Sequence, residues 1–140
     1  MPVIANEACT FPQEFAELCG KPFDVSGETK LHAVFDLQNT AVGVTVDFHA
    51  SSTSIVFHPA VQVPVRLCEG FSRFCFEHED PRMVEINLDD KDGEVRIVKH
   101  VPIRKEDAEA AIRDWLAFCD ATAYPAILRY IRQRFEEEGR

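Results

Sequence analysis

The stretch "INLDDKDGEVRIVKHVPI", residues 86–103, places an acidic turn between two segments of alternating character. Apolar residues recur at every second position from Val84 to Leu88, and again from Val95 to Val101 beyond Gly93. A period of two indicates strands with one buried and one polar face, which is typical of an antiparallel sheet. Asp and Gly supply turn geometry between such segments, so the stretch predicts a β-hairpin.

The same acidic turn has to be weighed as a calcium-binding loop. Such a loop has Gly at its sixth position, oxygen ligands at positions one, three and five, and Glu at position twelve. With Gly93 at position six, Leu88 falls at position one and Lys99 at position twelve, and neither offers a carboxylate. A helix should also follow the loop, whereas residues 94–97 read as a strand. We interpret the turn as a hairpin and expect that the protein requires no metal.

Three further strands are predicted upstream of the hairpin. Apolar residues alternate from Leu31 to Leu37 and from Val42 to Phe48, with Gln38, Asn39 and Thr40 as the turn between them. The Ser-rich run 51–54 is interpreted as another turn, which leads into a strand at Ile55–His58. The five predicted strands form one antiparallel sheet in this interpretation.

Helical spacing appears in three parts of the chain. Phe11, Phe15 and Leu18 recur at helical intervals, and a second helix is predicted from Pro64 to His78. A third runs from Glu106 to Asp120, and Pro125 breaks or restarts it before a last apolar stripe.

The predicted fold is a single α+β domain, residues 1–140, in the order α-β-β-β-α-β-β-α with an antiparallel five-stranded sheet flanked by helices. The predicted core includes Val46, Phe48, Ile86, Leu88, Ile112, Trp115 and Leu116.

Composition restricts the class of protein. The chain has 140 residues, 46% of them hydrophobic, which suits one folded domain rather than a disordered chain. Its apolar runs fall well short of the roughly 20 residues of a membrane span. The first residues, Met1–Glu7, have neither a basic region nor a long apolar region, so we expect no signal peptide and a cytoplasmic location. The net charge of −9 disfavours unspecific binding to nucleic acid and suits a basic or amphipathic partner.

Few residues of the sequence suggest a catalytic, metal-binding or cofactor-binding role. The sequence contains no GxSxG, P-loop or GxGxxG motif, and none of its five cysteines forms a CxxC pair. Cys75 and His78 have the spacing of half a zinc site, but no second pair follows at ligand spacing. His49 and His58 lie on adjacent predicted strands, where a polar strand face also explains them. No cofactor is expected.

The helix predicted from Pro64 to His78 carries more apolar surface than one stripe can account for. Val65 and Phe76 point away from the stripe that contains Leu67, Phe71 and Phe74. A second copy of the chain could bury this excess in a two-fold pair, so these five residues are the predicted partner or dimer interface. The alternative is that the last helix, beyond Pro125, folds back and covers the same residues within one chain.

Two motifs in the second half of the sequence resemble those of a known family. The stretch Ile86–Ile103 and the segment "AYPAI", Ala123–Ile127, resemble YbjN-type bacterial proteins, which are catalogued as sensory-transduction regulators. In that family an "ELDxxDGEVR" hairpin leads to a helix and then to such a segment. The resemblance extends from Phe11 to Phe135 and is most specific from Ile86 onwards. It departs where the family usually carries "LNxxN", because this chain has Gly70–Phe74 there.

The resemblance implies a fold similar to that of type III secretion chaperones, which are small, acidic, cytoplasmic dimers that hold an extended segment of a secreted protein. Fold alone does not fix function. Our leading hypothesis is a non-enzymatic protein-binding module, a homodimer that engages a partner protein through its sheet face and helix grooves. The alternative is a small enzyme or ligand binder that uses Cys75, His78 or the His49/His58 pair. A deep polar pocket joining two of these residues favours the alternative, and a broad shallow apolar groove favours the binding module.

Overall fold

The computed structural model describes residues 24–25, 30–49, 52–102 and 105–139. They form one antiparallel sheet with the strand order β1-β2-β3-β4-β6-β5. The strands are β1 (Asp24–Val25), β2 (Lys30–Asp36), β3 (Ala41–Phe48), β4 (Ser52–Pro59), β5 (Ile86–Leu88) and β6 (Val95–Pro102). The predicted antiparallel sheet in an α+β chain is confirmed, and the two-residue β1 adds a sixth strand at one edge.

Three α-helices accompany the sheet in the described residues: α1 (Phe71–Glu77), α2 (Lys105–Phe118) and α3 (Tyr124–Glu138). A π-helical turn, Cys119–Ala123, joins α2 to α3, and short 3₁₀ turns lie at Val65–Leu67 and Pro81–Glu85. The helix predicted around Phe11–Leu18 lies outside the described residues. The full order α-β-β-β-α-β-β-α therefore stays a prediction.

Burial alternates strictly along the central strands. On β3, Val42, Val44 and Val46 are fully buried, whereas the residues between them are partly exposed. The register pairs Val44 with Phe57 and Val46 with Ile55, so both strands present apolar side chains to one face. That face is the core face, and α2 packs on it over β4 and β6.

Most of the predicted core residues are buried. Val46, Phe48, Ile86, Ile112 and Leu116 are at most 9% exposed, which confirms them. Leu88 and Trp115 are only partly buried and pack at the margin of the core. The Lys99 ammonium lies 4.4 Å from the centre of the Trp115 ring, and this contact suits an aromatic face that remains near water.

The prediction of one helix from Pro64 to His78 was wrong. Pro64 is extended, a 3₁₀ turn follows, and α1 begins only at Phe71. Gly70 separates the two parts with φ of 91°, a left-handed conformation that glycine adopts without steric cost. The chain therefore changes direction between Leu67 and Phe71 although their apolar spacing is helical.

The hairpin between β5 and β6 is confirmed. Asp89 N donates to Glu94 O over 2.9 Å, and Gly93 N donates to Asp89 O over 2.6 Å. The Asp89 carboxylate accepts the N–H of Lys91, and the Asp92 carboxylate accepts the N–H of Glu94. These acids shape the turn. Strand β5 begins at Ile86 rather than at the predicted Val84, because residues 81–85 form a 3₁₀ turn.

Pro125 restarts the helix, which is one of the two predicted outcomes: α2 ends at Phe118, a π turn follows, and α3 begins at Tyr124 with Pro125 in its first turn. In the π turn, Tyr124 N donates to Cys119 O, and the next nitrogen belongs to Pro125, which has no hydrogen to donate to Asp120 O. Asn39 Nδ2 donates to that carbonyl over 3.0 Å instead. The Asp120 carboxylate also accepts the N–H groups of Asn39 and Thr40, at 2.7 and 3.1 Å. The helix is thereby joined to the β2–β3 turn.

Candidate functional site

The C-terminal helix covers part of the predicted interface within one chain. The Tyr130 ring on α3 lies 5.3 Å from that of Phe71 and 4.9 Å from that of Phe74, measured between ring centres. Leu67 and Phe71 are 2% and 1% exposed. This corrects their assignment to an interface between molecules, because α3 folds back over them as the alternative interpretation had it.

A surface groove remains between α1 and α3, and we call it the α1–α3 groove. It consists of two adjoining concavities of about 550 and 440 Å³ that share Phe74 and Glu77. Phe74 is half-buried between them, and Tyr130 lines the larger one. The remaining lining residues are Glu69, Gly70, Arg73, Gln133, Arg134 and Glu137 in the larger concavity, and His78, Glu79 and Arg129 in the smaller.

The walls of the groove carry charges of both signs, and four of these groups form two pairs. Arg73 Nε donates to Glu77 Oε1 over 2.7 Å, and Arg134 lies 4.0 Å from Glu137. Both Arg73 and Glu77 are well exposed, so each stays available to a ligand. The groove can therefore receive an apolar side chain against Phe74 and polar groups at its rims.

Two predicted interface residues remain on the surface. Phe76 is 79% exposed and Val65 is 54% exposed. Phe76 lies two residues after Phe74 on α1, which rotates it about 200° around the helix axis and away from the groove. Of the five predicted interface residues, two are buried, one lines the groove and two are exposed: Leu67 and Phe71, then Phe74, then Val65 and Phe76.

His78 lines the smaller concavity of the groove, but Cys75 lines neither of its two concavities. Cys75 is 4% exposed, and burial raises the pKa of its thiol to about 12. The Nδ1 atom of His78 accepts the N–H of Asp80 over 3.0 Å. A buried, protonated thiol is a poor nucleophile and a poor metal ligand.

His49 and His58 lie near opposite ends of the β3–β4 pair. His58 is opposite Gly43, whereas His49 N donates to Ser52 O at the far end. Six residue steps along β3 and just beyond its end separate Gly43 from His49, which corresponds to roughly 20 Å. His58 lines a separate concavity of about 350 Å³, where its Nδ1 is 3.2 Å from Glu94 Oε1. The structure does not bring the predicted histidine pair together.

Sequence reasoning missed Tyr130 and Gln133 as residues of the groove. They share a face of α3 with Arg134 and Glu137, because these four residues follow one another at the helical intervals i, i+3, i+4 and i+7. The signal in the sequence was Tyr130 among the apolar residues that follow Pro125, since a tyrosine hydroxyl that is buried needs a hydrogen-bond partner elsewhere in the chain.

Within the described ranges, no group of three or more His, Cys, Asp or Glu side chains is placed to hold a metal ion. None of the helices in those ranges combines the length and the apolar character needed to cross a membrane. No protein-family model matches the chain, and neither a curated protein nor a solved structure matches it.

Proposed function

We propose that this protein is a non-enzymatic protein-binding module, a regulator or chaperone-like protein that holds a segment of a partner protein. The observation that carries the proposal is the α1–α3 groove, with the half-buried Phe74 between its two concavities. Grooves between helices receive amphipathic segments through apolar anchors flanked by polar contacts. The net charge of −9 suits a basic or amphipathic segment better than nucleic acid.

The alternative, a small enzyme or ligand binder, depends on Cys75, His78 or the His49/His58 pair acting together. Cys75 is buried while His78 lines the groove, and the two histidines of the pair lie far apart on β3 and β4. General acid–base or nucleophilic catalysis needs its groups within hydrogen-bond reach. These positions favour the binding module over this particular set of catalytic residues.

A plugged groove tests the proposal. Gln133 lines the groove and is exposed, so Gln133→Trp fills it without removing a core side chain. Arg132→Trp, at the exposed neighbouring position that does not line the groove, is the matched control. We expect the wild type and Arg132→Trp to retain the same partner from native lysate, identified by mass spectrometry, and Gln133→Trp to lose it. Equal retention by all three, or no partner at all, would contradict the proposal.

We also propose that the protein forms a homodimer through the exposed side of α1. Phe76 is the most exposed of the large apolar side chains in the described residues, and burial against a second copy would remove it from water.

Sedimentation equilibrium tests the dimer. We expect a mass of twice 15.9 kDa for the wild type at tens of micromolar, and a monomer for Phe76→Glu, because a charge at an apolar interface cannot be solvated there. Val84→Glu, at a position 57% exposed, is the control and should remain a dimer. A wild-type mass near 15.9 kDa would exclude the dimer at that concentration.

Finally, we propose that the chain is a cytoplasmic member of the YbjN-type family with a fold of the type III secretion chaperone kind. The support is the sequence of the hairpin and of Ala123–Ile127, together with the described elements from β2 to α3. The resemblance does not identify the partner, because one fold serves many functions.

A further inference from the structure

The acidic turn between β5 and β6 contains the one Asp–Gly pair of the sequence, Asp92 and Gly93. An aspartate that precedes glycine can cyclise, because glycine has no side chain to hinder the approach of its nitrogen to the aspartate carboxyl carbon. The product is a succinimide, and its hydrolysis gives either aspartate or isoaspartate. In isoaspartate the main chain runs through the former side chain, so this pair is a chemically labile point of the turn.

The folded turn engages both reacting groups. The nucleophile is Gly93 N, which donates to Asp89 O over 2.6 Å, and Gly93 is buried. The carbon that it would attack belongs to the Asp92 carboxyl group, whose Oδ1 accepts the N–H of Glu94 over 2.8 Å. Gly93 N must give up its proton when it forms the bond to carbon. The closed turn therefore suppresses the cyclisation.

A second segment, residues 62–63, lies against this turn, and we call it the strap. Val63 N donates to Gly93 O over 2.9 Å, and Gln62 Nε2 donates to Asp92 O over 3.3 Å. The backbone of Gln62 also forms a bridge with that of Glu94. The strap thus holds the carbonyl groups on both sides of Gly93, and each carbonyl belongs to a planar peptide group. The rotation that turns Gly93 N towards the Asp92 carboxyl carbon requires the strap to leave.

Isomerisation would keep the strap from returning. The main chain gains one carbon atom between Asp92 Cα and Gly93 N, and the carboxyl group that accepts from Glu94 becomes part of the main chain. The backbones of Gly93 and Val63 are already in close contact, since a Cβ at Gly93 would lie 1.8 Å from Val63 O. A lengthened turn cannot restore both hydrogen bonds to the strap at this separation.

We propose that Asp92 is a modification site of this protein: it becomes isoaspartate when the strap leaves the turn, and the product holds the strap open. A bond forms between Gly93 N and Asp92 Cγ, and the C–OH bond of the protonated carboxyl group breaks. The hydroxyl leaves as water with the proton of the nitrogen. Water then adds to the other carbonyl of the succinimide, whose bond to nitrogen breaks. The chain supplies both reacting groups, and nothing is oxidised or reduced.

The test compares the full chain with a synthetic peptide of residues 88–96, both kept in neutral buffer. Isoaspartate is measured by chromatography and mass spectrometry of the peptide and of a protease digest of the chain. We expect it to form at least about tenfold more slowly in the folded chain, because only molecules with a locally opened turn react. In urea the unfolded chain should match the peptide. Equal rates in the folded chain and the peptide would overturn the proposal.

A strap variant tests the gate. Gln62→Ala, at an exposed position, removes the donor to Asp92 O and should speed isoaspartate formation in the folded chain about fivefold, the effect of one lost hydrogen bond. Lys91→Ala, at an exposed position of the same turn, is the matched control and should leave the rate unchanged. Circular dichroism checks that both variants are folded. If Gln62→Ala forms no more isoaspartate than the wild type, the strap is not the gate.

Hydrogen exchange tests the consequence of the modification. The isoaspartate form is separated from the unmodified chain by ion exchange, and the exchange of the Val63 N–H is measured in both. That N–H donates to Gly93 O in the unmodified chain, so it should exchange at least about tenfold faster once the strap is open. Equal protection of the Val63 N–H in the two forms would show that the strap closes again and would overturn this part of the proposal.

Discussion

The Tyr130 hydroxyl donates to the carbonyl oxygen of Leu67 over 2.6 Å, across 63 residues of sequence. The same hydroxyl lies 3.0 Å from Glu69 O. One side chain of α3 therefore contacts two carbonyl oxygens of the segment that leads from the 3₁₀ turn into α1. Tyr130 is 4% exposed, and burial is the main cause that raises its pKa. This contact fixes α3 against α1 and thereby forms the α1–α3 groove.

Tyr130→Phe should destabilise the protein while preserving the ring packing against Phe71 and Phe74. The Leu67 carbonyl would lose its buried donor, and we expect a loss of about 1–2 kcal/mol in the free energy of unfolding, measured with urea. Tyr124→Phe is the control and should change that free energy by less than about 0.5 kcal/mol. Equal effects of the two substitutions would show that the hydrogen bond contributes nothing of its own.

Gly93→Ala should be severely destabilising. A Cβ at Gly93 would lie 1.8 Å from Val63 O, and φ there is 77°. Val63 N also donates to Gly93 O over 2.9 Å, so the two backbones cannot separate without losing a hydrogen bond. We expect a loss of more than about 3 kcal/mol, because backbone strain and a lost bond add.

Gly70→Ala provides the matched comparison. Its φ is 91°, but the nearest atom to a new Cβ would be the Tyr130 hydroxyl oxygen at 3.6 Å. Only the left-handed conformation is then penalised, at about 1–2 kcal/mol. If thermal and urea unfolding show Gly70→Ala to be as costly as Gly93→Ala, the close approach of Val63 is not the reason for glycine at position 93.

Thr53→Val should stabilise the protein. Thr53 is fully buried on β4, and its hydroxyl has no hydrogen-bond partner in the part of the chain that the structure describes. A methyl group in place of an unsatisfied buried hydroxyl removes a desolvation cost, so we expect a gain of about 1 kcal/mol in urea unfolding. Thr45→Val, at a partly exposed position whose hydroxyl contacts His32, is the control and should give no gain. A loss on Thr53→Val would mean that the hydroxyl is satisfied in solution.

The buried thiols should be unreactive in the folded protein. Burial raises the pKa of Cys75 and of Cys119 to about 12, with the Asp120 carboxylate adding to the effect at Cys119. At about pH 8 their thiolate fraction is then on the order of one in ten thousand. In a variant with Cys9, Cys19 and the partly exposed Cys68 changed to Ser, Ellman's reagent should label Cys75 and Cys119 only after urea is added. Rapid labelling of both without urea would contradict their burial.

The same raised pKa values set the direction of the alkaline response. Below about pH 9 the thiols are protonated in both the folded and the unfolded chain, so their contribution to stability is complete. Between about pH 9 and 12 the unfolded chain releases these protons first. The free energy of unfolding should therefore fall as the pH rises through that range, and urea titrations at several pH values measure it.

The sequence by itself determined the strands and the hairpin. Alternation along β3 and β6 is a local property of the chain, since side chains of a strand point to opposite faces whatever lies beside them. The Asp and Gly residues of the hairpin likewise act on their own backbone. Local pattern misled at three places. Gly70 interrupts a helical pattern, residues 81–85 form a 3₁₀ turn where alternation predicted a strand from Val84, and the Ser-rich run that suggested a turn belongs partly to β4.

The tertiary structure alone decided the candidate site. Tyr130 meets Leu67 and Asp120 meets Asn39 across 63 and 81 residues, and no local period encodes such pairs. They depend on how α3 is rotated against α1 and on the π turn ahead of Pro125, both of which follow from packing. The separation of His49 from His58 likewise depends on strand register, which places them near opposite ends of the β3–β4 pair.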